Sequence, residues 1–319
     1  MLPTRLIRLT LTLLTPCLLL ACNINDGTTT LRVAHTLDTH HPVHKGLEYM
    51  DERLSHHSKG TMRLALYPSG QLGSEREVIE LLQIGSLSMT KVSASSMEAF
   101  VPEMKVFGLP YLFNNSSHFW NILNGDIGQQ LLDAGVPFRI RGLGYFDAGS
   151  RSFYSTKKQI KSPADLPGMK IRVLSSPMAI AMVKAMGGSA TPISWGELYT
   201  SLQTGVIDAL EWVGPYNDRI LGFHEVAKYY YYPGWHEPGS ILEFIINKDS
   251  MAELPADLQA IVREAARASS QDMLDEYTAR NNEALRELIE EHGVQLRRFR
   301  PPCSERTMCM RSIVICMNM

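Results

Sequence analysis

An α/β fold of two lobes is the architecture this 319-residue chain predicts, and three observations predict it. From residue 31 onward, short strand patterns alternate with amphipathic helix patterns, the arrangement of a parallel sheet covered by helices. A similar set of strands and helices recurs after residue 170, which implies a second lobe. The helical pattern from residue 255 to 293 then exceeds the length of an ordinary globular helix.

In order, 31–37 is an apolar strand, and Val43, Leu47, Met50 and Leu54 recur at helical spacing until Gly60 ends that helix. Met62, Leu64 and Leu66 alternate as a second strand. Ser74 and Glu77 form a capping box ahead of a helix with Val78, Leu81 and Leu82 inward and a stop at Gly85, after which 87–92 is a strand. A strand-like run at 141–146 precedes the crossing between lobes. In the second set, 171–174 is a strand and 178–186 a helix closed by Gly187 and Gly188. Ser194 with Glu197 forms another capping box, whose helix stops at Gly205, and 206–210 is a strand followed by Glu211 and Trp212. Leu258, Ile261, Val262, Ala265, Leu274, Tyr277, Leu285 and Leu288 are the apolar positions of the last helix, which either spans both lobes or breaks near 268–271.

A net charge of −2 with mixed signs throughout, and no basic patch interleaved with aromatics, excludes a nucleic-acid footprint. Arg5 and Arg8 precede an apolar run at 9–20, too short to span a bilayer and suited to a signal peptide. Leu19-Leu20-Ala21-Cys22 matches a bacterial lipoprotein box. Residues 1–22 are therefore read as a lipoprotein signal peptide with a lipidated Cys22, 23–30 as a tether, and the protein as periplasmic and membrane-anchored. No cysteine stands between Cys22 and Cys303, so the body has no disulfide, thiol nucleophile or thiolate metal site. Residues 301–319, with Cys303, Cys309 and Cys316, are Met-rich and carry no fold signal; an atypical disordered tail is expected there rather than a soft-metal site. The chain has no Gly-x-Ser-x-Gly elbow, phosphate loop, dinucleotide fingerprint or paired-His metal motif, so no enzyme is expected.

The order of four segments says most: Gly149-Ser-Arg-Ser-Phe-Tyr, Met169-Lys-Ile-Arg-Val, Ile193-Ser-Trp-Gly-Glu-Leu-Tyr and Gly205-Val-Ile-Asp-Ala-Leu-Glu-Trp. Met169, Ile171 and Val173 alternate with Lys170 and Arg172, which puts both cations on one face of a strand, a rigid mount for a guanidinium. With Tyr67-Pro-Ser-Gly-Gln-Leu-Gly-Ser-Glu, Phe107-Gly-Leu-Pro-Tyr-Leu-Phe and Ser162-Pro-Ala-Asp-Leu-Pro-Gly-Met-Lys-Ile-Arg, this order resembles the solute-binding proteins of tripartite ATP-independent periplasmic (TRAP) transporters, of the dicarboxylate-receptor family. The resemblance covers nearly the whole mature chain. It implies a two-lobe periplasmic-binding-protein-like α/β fold with a long helix spanning both lobes. Lobe I would comprise 31–150 plus about 240–275, and lobe II 151–239 plus about 276–300. It also implies a receptor that binds a small organic acid (a dicarboxylate, a 2-oxo or 2-hydroxy acid, or a sugar acid such as a uronate) and hands it to membrane permease subunits. The alternative, an exported lipoprotein enzyme with Glu211 as general base, lacks a second catalytic group.

Arg172 occupies the position of the arginine that, in the resembled family, makes a bidentate pair with the substrate carboxylate; composition alone would read it as a surface charge. Arg151 follows a glycine-containing loop near the crossing, and either binds a second ligand oxygen or holds the hinge through a carboxylate. In a branch binding 2-oxo acids with a metal ion, a Glu-Trp pair at the place of Glu211 and Trp212 joins an upstream glutamine around the cation. Here Ser150-Arg151-Ser152 replaces that glutamine, so no cofactor is expected, with sodium or calcium at Glu211 and Trp212 as the alternative. Without a cation, Glu211 accepts ligand hydroxyls or pairs with Arg151. Residues 213–217 and 229–239 resemble that branch, whereas 35–45, 70–91 and 148–154 resemble uronate binders. Trp235, like Trp195, Tyr216 and Tyr154, either walls the ligand or packs in a core. His40, His41 and His44 read as a solvated helix start, and Glu75, Arg76 and Glu77 as capping and surface charge.

Overall fold

The computed structural model describes residues 28–109, 112–113, 116–147, 151–232 and 241–297; the signal peptide, Cys22, Trp235 and residues 301–319 lie outside them. A first sheet has the order β2–β1–β3–β10–β4, formed by β1 (Thr29–Ala34), β2 (Met62–Tyr67), β3 (Met89–Ser93), β4 (Ile140–Asp147) and β10 (Ile241–Asn247). Thr29 and Thr30, expected in the tether, pair with Met62 and Arg63 and so belong to the sheet. A second sheet has the order β11–β9–β5–β8–β6–β7, formed by β5 (Ser152–Ser155), β6 (Lys170–Val173), β7 (Ser189–Pro192), β8 (Ala209–Trp212), β9 (Tyr229–Tyr231) and β11 (Leu296–Arg297).

The sheets are mixed, so the expected parallel pairing holds for only part of each. β1, β2 and β3 are parallel, but β10 runs antiparallel to both β3 and β4. The cause is the crossing: β4 leaves the sheet at Asp147, paired to Ile241 where β10 arrives from the other lobe, so the two connecting strands run in opposite directions. β5 is likewise antiparallel to β8 and β9. β8 begins three residues later than the expected strand start, which puts Glu211 and Trp212 inside the strand rather than after it.

The capping box of Ser74 and Glu77 opens the helix Glu75–Gln83, with Ser74 N donating to Glu77 Oε2 at 2.6 Å. At Ser194 the expected box is absent. A 3-10 turn, Trp195–Glu197, forms there through Glu197 N to Ser194 O, and the helix Leu198–Gln203 follows.

The last helix is continuous from Ala256 to Glu290, 35 residues, without a break at 268–271. Its polar interior is satisfied by backbone carbonyls: Ser269 Oγ donates across to Gly46 O at 2.6 Å and Ser270 Oγ back to Ala266 O at 2.8 Å. Gly46, in the helix Pro42–His57, is required by this packing, since a Cβ there would lie 2.4 Å from Met273 Cγ. Val262, Ala265, Ala266 and Met273 share a core with Leu47, Met50 and Phe244 of the first lobe, while Leu285 and Leu288 pack with Tyr154, Leu198 and Phe223 of the second. One rigid rod thus serves both cores. No helix among the described residues is long and apolar enough to cross a membrane.

Candidate functional site

Strand alternation puts Ile171 and Val173 of β6 into an apolar core and Arg172 on the other face, where it is wholly buried at 0% exposure. Arg172 Nε donates to Ile193 O at 2.9 Å; Nη1 donates to Glu211 O at 3.1 Å and to Glu211 Oε1 at 3.3 Å. The guanidinium carbon lies 5.0 Å from the Trp212 ring centroid. Nη2 is buried with no hydrogen-bond partner among the described residues. A bidentate pair through this arginine therefore requires Glu211 to move, whereas a contact at Nη2 alone does not. Burial, reinforced by the like charge of Arg151, pushes the Arg172 guanidinium down to about 9, so it remains protonated at neutral pH.

Arg151 immediately precedes β5, and the antiparallel register of Ser152 with Trp212 and Phe153 with Glu211 brings it beside β8. Its Nη2 pairs with Glu211 Oε2, both side chains being buried. Glu211 thus lies between two guanidiniums, and its backbone oxygen also receives Arg172. Such an arrangement makes each buried charge tolerable to the others. The oxygens that a cation would need are already receiving N–H donors, so the Glu-Trp pair does not fit a metal in this arrangement.

Between the lobes is a cavity of about 210 Å³. The second lobe contributes Arg151, Ser194, Trp195, Trp212 and Asn217, and the first lobe His41, Glu75, Lys91, Ser93 and Phe100. Arg172 stands behind Trp212 rather than in the cavity wall. Tyr154 and Tyr216 pack in cores, while Trp195 and Trp212 face the cavity; Trp235 lies outside the described residues.

Two first-lobe groups correct the sequence reading. Glu75 is not a surface charge: it accepts from Ser93 N at 3.2 Å, Ser93 Oγ at 2.6 Å and Ser96 Oγ at 2.6 Å, with Lys91 Nζ 3.5 Å from Oε1. Burial alone would raise its carboxyl, but Lys91 and the serine donors hold it below the ordinary value. Burial pushes the Lys91 ammonium down, and Glu75 opposes this. His41 and His44 are buried as well; only His40 is solvated. His41 Nδ1 accepts from Val43 N at 3.1 Å and caps its helix, and Nε2 meets Asn217 Oδ1 at 3.0 Å. Burial, then the Lys91 charge, push His41 down to about 3. The available signal was Lys91, a cation in the middle of the strand Met89–Ser93. Among the described residues no group of three or more His, Cys, Asp or Glu is placed to hold a metal ion.

Residues 33–311 match the family described as bacterial extracellular solute-binding protein, family 7 (DctP). The chain belongs to this family. It is 31% identical over 229 residues to the 2,3-diketo-L-gulonate-binding periplasmic protein of Escherichia coli, covering 71% of this chain and 69% of that one. It is 29% identical over 245 residues to a monocarboxylate 2-oxoacid-binding periplasmic protein of Nostoc sp., covering 76% and 67%. A TRAP periplasmic solute-binding protein of Pseudomonas putida, solved with bound D-glucuronate, superposes with a TM-score of 0.82 at 30% identity over 91% of this chain and 92% of that one. The chain is thus a TRAP solute-binding receptor of two-lobe fold, and not an enzyme.

Proposed function

We propose that this receptor takes a sugar acid of the uronate class, in a cation-independent site, and delivers it from a lipid-anchored position to a TRAP permease. The observation that carries the substrate class is the Lys91–Glu75 pair facing the same cavity as Arg151. Lys91 already faces a carboxylate, so that end offers a donor and an acceptor side by side, which suits ligand hydroxyls better than a second carboxylate. Ser93, Ser194 and Asn217 add further polar groups. At the opposite end the ligand carboxylate meets Arg151, which faces the cavity, while Arg172 behind Trp212 holds Glu211 in place.

Pairing of the carboxylate favours the closed cleft over the open one, which supplies the differential affinity that closure needs. Receptors of this kind bind in the range of roughly 10 nM to 10 μM, about 7 to 11 kcal/mol. Titration calorimetry against D-glucuronate, D-galacturonate, pyruvate and succinate tests the class. Binding of the uronates is expected; binding of pyruvate or succinate alone overturns it. The anchor rests on Cys22 in its lipoprotein box, and Cys22→Ser is expected to shift the protein from the membrane fraction to the soluble one. Retention of a cleaved variant in the membrane fraction would exclude that anchor.

A further inference from the structure

Away from the main cavity, the two lobes meet at a second polar contact. The helix Pro177–Ala185 of the second lobe begins with Ser176 as its cap, whose Oγ accepts from Ala179 N at 3.0 Å. Pro177 has no N–H. The first-turn donor left over, Met178 N, is received by Glu98 Oε2 at 3.0 Å, and Ser176 Oγ lies 2.7 Å from that same oxygen. Glu98 directly follows the short helix Ala94–Met97, whose Ala94 and Met97 belong to the first-lobe core. One lobe therefore completes the helix cap of the other.

The close approach is built into the backbone. A Cβ on Gly108 would lie 2.7 Å from Met178 Cβ and 2.9 Å from Glu98 Oε1, so glycine there lets the first-lobe turn Pro102–Gly108 seat against the second-lobe helix. Glu98 is 2% exposed, and Oε1 has no partner among the described residues. Glu98 is not in the wall of the ligand cavity.

We infer that Glu98 is a closure residue: its carboxylate, carried by one lobe, caps the helix N-terminus of the other and holds the loaded cleft shut without touching the ligand. This rests on the reading of the chain as a receptor that closes on an acid. In an open cleft, Met178 N–H and Glu98 both return to water, so the contact strengthens the closed state alone. Burial pushes the Glu98 carboxyl up to about 7, opposed by the Met178 and Ser176 donors and then by the charges of Lys105 and Arg151.

The test compares wild type with Glu98→Ala, using D-glucuronate as probe. Loss of a cap is expected to speed ligand release about tenfold, with the ligand-free variant still folding cooperatively. Hydrogen exchange should show the Met178 amide protected by ligand in wild type and unprotected in the variant. Glu98→Gln, which keeps an acceptor oxygen, should fall between them. Gly108→Val, which wedges the contact apart while leaving the Glu98 side chain in the sequence, should also speed release and serves if Glu98→Ala does not fold. Unchanged release together with unchanged Met178 protection overturns the inference. If wild type binds none of the acids, the receptor reading fails instead, and the closure contact is judged by X-ray scattering on the ligand-free proteins. A variant more extended than wild type then supports it, and equal dimensions overturn it.

Discussion

His41 and Asn217 stand 176 positions apart in the chain and meet with Nε2 and Oδ1 3.0 Å apart. Because His41 Nδ1 accepts from Val43 N, the ring proton sits on Nε2 and is donated to Asn217, whose own Nδ2 donates to Tyr277 OH. The first-lobe helix, a second-lobe helix and the long helix are joined through one neutral imidazole.

That neutrality sets an acid limit. The folded His41 lies at about 3 against an ordinary 6.5, so the unfolded chain takes up a proton first. Stability is fully present above pH 6.5 and falls as the pH drops toward about 3, with His35 behaving alike. Urea unfolding at about pH 7.5 and about pH 5.5 should show a loss on the order of 1 kcal/mol per histidine, and His41→Gln should remove its own share. An identical loss in His41→Gln would show that the imidazole does not carry it.

Glu243 gives the opposite slope. It is 1% exposed on β10, and burial pushes its carboxyl from 4.5 up to about 8. The folded state holds the proton more tightly, so its contribution is present below pH 4.5 and is lost as the pH rises through about 8. Glu243→Gln, which is neutral at every pH, should exceed wild type in stability at about pH 8.5 by on the order of 5 kcal/mol, and match it near pH 4. Chemical denaturation at the two pH values checks this; parallel curves would mean that Glu243 has a partner in the fold.

The local elements were legible wherever side-chain period and capping chemistry agree, as at Ser74 with Glu77 and along Val43, Leu47, Met50 and Leu54. Strand direction was not, because whether β10 runs parallel depends on where the chain crosses between lobes, and no local pattern records that. At the site, Arg172 and Glu211 could be singled out, but their mutual engagement depends on β6 and β8 being neighbours across 39 residues. Lys91, His41 and Glu98 escaped for a common reason. Each is a polar group buried by contact with a distant element, so its own neighbours in sequence read as a strand, a helix start or a surface.

The two arginines should separate in mutation. Arg172 is wholly buried and bonds Ile193 O and Glu211, so Arg172→Ala leaves unpaired acceptors and is expected to cost about 3 to 5 kcal/mol in folding as well as weakening ligand binding. Arg151 faces the cavity, so Arg151→Ala should weaken uronate binding with a smaller shift in unfolding temperature. Arg172→Lys should not rescue, because a single ammonium has no planar fork to bridge Ile193 O and Glu211. Calorimetry paired with thermal unfolding checks the split; equal stability losses with intact binding in both variants would remove the arginines from the site.

Cation dependence follows from who holds the Glu211 oxygens. Hard cations such as sodium or calcium need several oxygen ligands, and a carboxylate with one backbone carbonyl is a weak set without another protein oxygen. Here Arg151 pairs with Oε2, and Arg172 Nη1 reaches both Oε1 and the backbone oxygen. A cation would have to displace two guanidiniums and then sit against their charge, which costs far more than one carboxylate returns. Ligand affinity should therefore be unchanged in chelator and in a sodium-free buffer, while Arg151→Ala weakens it. Affinity lost in chelator and restored by sodium or calcium would mean that Glu211 releases both arginines when ligand arrives, and would move the substrate from uronates to 2-oxo acids.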